Sequence, residues 1–326
     1  MSRVPGVSAA ACGVPVATVV RSGFVESVHH GTVVVLDAGG RELLAVGDPQ
    51  APVFPRSSNK PVQAAAMVRA GLDVEDELLA LAAASHSGEP EHLDGVRKLL
   101  ASAGLTEADL QNTPDLPLDP RERERWLAAG ERPSSIAQNC SGKHAAMLAT
   151  CQAAGWDLRS YLDPGHPLQR LVAEVLAELA QEPVAHVGVD GCGAPVLAVS
   201  LTGLARAFSA VVRADAGTAE HRVGRAVRAF PRMVGGSRRD VTALMQAVPG
   251  LLAKDGAEAV YGAALADGTA VAVKITDGGN RARPVVLAQA LREAGVDPEL
   301  VAFLDEAPVL GHGRPVGAVR ALPLRG

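Results

Sequence analysis

Strand-like patterning lies at both ends of this 326-residue chain, and helical periodicity fills the stretch between them. Residues 16–20, 32–36 and 42–46 read as strands, the last two joined by the turn Asp37-Ala38-Gly39-Gly40. Apolar residues then recur at helical spacing over 60–70, 73–84 and 90–103. Pro114, Pro117 and Pro120 make 111–120 a loop. Further helices are predicted over 141–154, 167–181, 199–213, 217–229 and 239–247, with a strand at 184–189. Strands return over 259–265 and 269–275 around Asp267-Gly268, a hairpin signal. Helices at 283–294 and 297–304 and a strand at 315–323 complete the order. It predicts an α+β fold, a mainly antiparallel sheet built from both termini with a helical subdomain inserted. A tail over 1–14 would precede one domain over 15–326, its sheet part at 15–56 and 256–326 and its helical part at 57–255. A site is expected at the seam between the two parts.

Five of the 31 basic residues are lysine, and three of these lie in short polar motifs. Where only positive charge is needed, this chain uses arginine. Lysine differs in that burial can depress its pKa until it acts as a neutral base. In Arg56-Ser57-Ser58-Asn59-Lys60 a serine precedes a lysine by three residues at a helix start, which stacks hydroxyl and amine on one face. Such a pair can make an activated nucleophile; it can equally be an N-cap beside a solvated charge. Ser85-His86-Ser87-Gly88-Glu89 follows an apolar helical run and puts hydroxyl and imidazole groups at an element end. Lys274 alternates with Ala272 and Thr276 in a strand that leads to Gly278-Gly279. Cys140 and Cys192 sit in turn-rich segments, as ligands of a borderline-soft ion such as zinc would, with Lys143, His144 and Asp190 as further donors. A pair of small buried residues, or a nucleophilic thiol, explains two cysteines as well.

Composition narrows the classes. A hydrophobic content of 48% supports a buried core, but aromatics at 3% leave its packing to Ala, Val and Leu. A net charge of −5 and the lack of a basic block argue against nucleic acid. Arg232, Arg238 and Arg239 form the densest basic group and read as a solvated loop. Four cysteines without a C-x-x-C pair suggest reduced thiols or metal ligands in a cytoplasmic protein, with Cys12 and Cys151 structural. Two prolines and two glycines in the apolar segment 4–20 speak against a signal peptide, and no stretch suits a membrane span.

Taken in order, the blocks Arg56-Ser-Ser-Asn-Lys-Pro61, Ser85-His-Ser-Gly-Glu89, Asn139-Cys-Ser-Gly-Lys-His144, Asp190-Gly-Cys192 and Lys274-Ile-Thr-Asp-Gly278 resemble the Rhizobium etli-type (class 3) L-asparaginases. The resemblance covers nearly the whole chain. It implies a serine β-lactamase-like fold and hydrolysis of L-asparagine to L-aspartate and ammonia. It implies two catalytic pairs, Ser57 with Lys60 and Ser85 with Lys274, and zinc on Cys140, Lys143 and Cys192 with Asp190 nearby. Arg56, Glu89, His144 and Asp190 are the expected substrate contacts. A cytoplasmic homodimer with neither nucleic-acid nor membrane partner is the matching expectation. Gly88 and Gly193 stand where the family pattern more often has Ser and Asn, and the C-terminus is shorter, which leaves substrate preference open. A glutaminase, a β-lactam hydrolase and a non-catalytic zinc-stabilised binding protein are the alternatives.

Overall fold

The computed structural model describes residues 13–325. Cys12 and most of the expected tail fall outside this range. Eleven strands are present among the described residues: β1 (Val14–Arg21), β2 (Phe24–Leu36), β3 (Glu42–Val46), β4 (Pro52–Val53), β5 (His186–Val189), β6 (Pro195–Ser200), β7 (Leu252–Gly256), β8 (Val260–Ala264), β9 (Ala270–Ile275), β10 (Glu306–Gly311) and β11 (Arg314–Ala321). Eight of them form one sheet in the order β10-β11-β1-β2-β9-β8-β7, with β3 also paired to β2. All its pairings are antiparallel. The first and last parts of the chain meet within it, Val19 opposite Val319. The α+β architecture anticipated from the sequence is therefore the one observed.

Burial along the strands explains the layering. β7 and β8 are buried at every position, so both sheet faces are covered there. Helix Leu201–Arg213 and helix Arg283–Glu293 provide cover. Gly262 on β8 is required for this packing, because a Cβ there would meet the Phe208 ring at 2.6 Å. The helical insert centres on helix Lys60–Arg69, buried from Lys60 to Met67 and surrounded by helices Ser141–Ala154, Pro167–Ala180 and Ala219–Ala229. Ala64, Ala65 and Ala66 are buried on it, which lets neighbouring helices approach closely in a core poor in aromatics.

Several elements depart from the sequence reading. β7 was not anticipated, since Lys254-Asp255 interrupts its apolar pattern, yet both residues are buried. β10 escaped notice because its burial alternates weakly at the sheet edge. β6 occupies the start of the helix expected at 199; that helix begins at Leu201, after Ser200 accepts the Gly203 N–H at 2.8 Å as its N-cap. A helix at Pro120–Ala128, capped by Asp119, follows the proline-rich loop. No helix among the described residues is long and apolar enough to cross a membrane.

Candidate active site

The small sheet β4-β6-β5 delivers the chain into a 3-10 turn, Arg56–Asn59, directly ahead of helix Lys60–Arg69. Arg56 adopts a left-handed backbone at φ 53°, which swings the chain sharply and turns Ser57 toward a cleft of about 400 Å³. Ser58 points the other way and donates to Pro55 O at 2.6 Å. Strand β7 runs beside this turn. Gly256 is essential to that approach: a Cβ would meet Pro55 O at 2.5 Å, Ser58 N at 3.1 Å and Ser57 N at 3.4 Å.

Ser57, Ser85, Asn139 and Ala257 all line the cleft. Lys60, 1% exposed, extends behind it and hydrogen-bonds Ala84 O at 2.6 Å, Ser85 Oγ at 3.1 Å and Cys140 Sγ at 3.1 Å. The hydroxyl that Lys60 meets is thus that of Ser85, and Ser57 is not among its hydrogen-bond partners. Lys274 is not brought to Ser85. It lies on β9 opposite Thr32 and donates to Glu258 O at 2.7 Å and to Ile275 O. The expected pairing of Ser85 with Lys274 is replaced by Ser85 with Lys60, because β9 lies two strands inward from β7, the strand that borders the turn.

A second buried lysine, Lys254, lies on β7 beside the turn and is inconspicuous in the sequence because it heads no obvious motif. It is fully buried on β7 and donates to Asp255 O at 2.7 Å and Asp255 Oδ1 at 2.8 Å. Burial lowers its pKa to about 8, against the opposing pull of Asp255, with Arg239 and Lys60 lowering it further. Asp255 would be raised by burial, yet Arg239, Lys254 and Arg283 hold it well below the usual carboxylate range. The signal that could have found this pair was the charged dipeptide after the apolar run Leu251-Leu252-Ala253 in a chain with so few lysines. Arg238 and Arg239 also line the cleft, which corrects their reading as a solvated loop. Arg239 donates to Ser85 O and pairs with Asp255.

The remaining expected residues divide. Arg56 Nε meets Asp190 Oδ1 at 2.7 Å, so these two position each other beside the turn. Burial favours the neutral form of Asp190, but Lys143 and Arg56 keep its pKa low. Glu89 stands away from Ser57: it caps helix Pro90–Ser102 and accepts from Ser237 N and Oγ, both at 2.8 Å. His144 is completely buried; its Nδ1 meets the Tyr161 hydroxyl at 2.8 Å and its Nε2 has no partner.

Cys140, Cys192 and Ala194 form a small buried cluster of their own. Among the described residues no group of three or more His, Cys, Asp or Glu side chains converges. What converges is two thiols and an amine, with Lys143 Nζ 3.3 Å from Cys192 Sγ and Asp190 Oδ2 3.9 Å from the same sulfur. A tetrahedral ion with bonds of about 2.0–2.3 Å spaces its donors roughly 3.3–3.8 Å apart, and the Lys143–Cys192 spacing suits one. A hydrogen bond from Cys192, aided by Lys60 and Lys143, overcomes burial and drops the Cys140 pKa well below the ordinary thiol value.

A family model described as L-asparaginase II matches residues 17–321. The chain belongs to that family, the Rhizobium etli-type L-asparaginases, and is accordingly a hydrolase of the L-asparaginase kind. No curated protein matches it. Among solved structures, EstCE1, a hydrolase with promiscuous acyltransferase activity, is similar over 80% of this chain and 93% of its own, at 12% identity and a TM-score of 0.43.

Proposed function

We propose that the chain hydrolyses L-asparagine to L-aspartate and ammonia through a serine acyl-enzyme. The observation that carries this reading is a buried lysine amine 3.1 Å from the hydroxyl of Ser85, a serine that lines the cleft together with Ser57. Ser57 is the proposed nucleophile, since it faces the cleft while Ser58 is tied to Pro55. Its oxygen attacks the side-chain amide carbon and its proton passes to a neutral lysine. That proton leaves with the amide nitrogen as ammonia, and water then releases aspartate from the ester. Lys60 and Lys254 share the proton handling, with Ser85 linking Lys60 to the cleft. The N–H groups of Ser57 and Ala257, at the cleft wall, are the proposed oxyanion donors.

Cys140, Lys143 and Cys192 would hold a zinc ion, with Asp190 beside it, and the bound ion would supply positive charge for orienting substrate. The chemistry in this reading stays with the serines and lysines. Glutaminase or β-lactam hydrolysis on the same groups remains the competing reading, and ammonia release from asparagine against glutamine separates them.

Lys60→Arg tests the role of the amine. Arginine keeps hydrogen-bond donors in place but stays protonated at working pH and cannot accept a proton. Turnover should fall about 100- to 10,000-fold, the range for removing a general base, and as far as in Lys60→Ala. Substantial ammonia release by Lys60→Arg would sink the proposal. Mass spectrometry of quenched enzyme should find the aspartyl adduct on Ser57.

A further inference from the structure

Two arginines at the cleft differ in how tightly they are paired. Arg238 is saturated, with Asp119 at 3.0 and 2.8 Å and Glu122 at 2.8 Å. Arg283, the first residue of helix Arg283–Glu293, is not. Only 7% exposed, it reaches Gly256 O at 3.2 Å, Asp240 at 3.3 Å, and Asp255 and Asn280 at 3.4 Å, all long for a guanidinium. Its Nε is buried with no partner at all. A buried donor left unpaired on a charged group is unfavourable, and native proteins rarely keep one without use. Arg239 and Lys254 also point at Asp255, so Arg283 shares that carboxylate and has only Asp240 besides. Arg283 and Arg239 both line the cavity that Ser57 and Ser85 line.

An asparagine whose side-chain amide reaches Ser57 presents one anion for recognition, its α-carboxylate. We propose that Arg283, with Arg239 beside it, binds that carboxylate and so sets the preference for α-amino-acid amides over simple amides. The inference rests on the asparaginase reading above. Planar donors matched to a planar carboxylate give direction as well as charge, which lysine in the same place would not.

Two amides and two proteins decide it. Asparagine and 3-aminopropanamide share the amide and the amine, and differ by the carboxylate. Wild-type kcat/KM should favour asparagine by roughly 10- to 150-fold, the worth of a charge-assisted hydrogen bond. In Arg283→Gln that preference should collapse by about the same factor, chiefly through KM, whatever the change common to both amides. An unchanged ratio would show that Arg283 only supports Asp255, and the inference would fall. Should Arg283→Gln not fold, the wild type still decides, since equal kcat/KM for the two amides overturns the inference alone. Turnover of 3-aminopropanamide with none of asparagine would overturn the asparaginase reading and the inference together.

Discussion

Lys254 is enclosed on every side, and burial has brought its amine within reach of neutral pH. A base takes up a proton only in its neutral form. With the pKa lowered to about 8, that form grows as pH rises through 8 and is lost below it. A plot of kcat/KM against pH should therefore climb on its acid side and level off above about 8. Asp255 opposes the lowering, so Asp255→Asn should push the Lys254 pKa down further and move the limb to lower pH. Ammonia release followed from pH 6 to 10 reads both positions; a limb that stays put in Asp255→Asn would remove Lys254 from the proton path.

Strand β7 and the turn Arg56–Asn59 work as one element, held together where Gly256 leaves room for Ser57. Gly256→Ala should separate them. The clashing atoms are backbone and cannot rotate away, so the strand itself must shift, at a cost of about 1–3 kcal/mol in stability. The larger effect should be on kcat, because Ser57, Ala257 and Lys254 lose their alignment together. Thermal unfolding alongside steady-state rates would show it, and a variant that lost stability while retaining kcat would contradict it. The same element marks the limit of sequence reading. Serine and lysine three apart at a helix start, the cysteines in turns and the Asp267-Gly268 hairpin were legible because each is a local pattern. Which lysine faces which serine was not, since that depends on whether β7 or β9 borders the turn. β7 hides behind its own charges: Lys254 and Asp255 satisfy one another inside the core, so a buried strand reads as polar. Arg283 is equally silent, because its guanidinium gains meaning only from partners up to 43 residues away, as in its contact with Asp240.

Across the whole molecule, the thiol pair joins parts of the chain that are remote in sequence, Cys140 and Lys143 at a helix start and Cys192 in the turn between β5 and β6. An ion held there adds its binding energy to the folded state alone. Zinc should raise the unfolding temperature and release protons as it binds, and a chelator should reverse the rise. Cys192→Ser should abolish the shift; a shift that persisted would place the ion elsewhere. The antiparallel sheet adds a constraint of timing. β1 lies between β2 and β11, and Ser57 faces a strand that begins at Leu252, so neither the sheet nor the cleft can close until most of the chain exists. At synthesis rates of about 5–20 residues per second, the N-terminal hairpin waits tens of seconds on the ribosome for its last neighbour. During that wait Phe24 and Val25, exposed even in the finished fold, stand beside a β1 edge with no strand to cover it. A protein that must guard open strand edges throughout its own birth should depend on chaperones more than its finished stability would suggest.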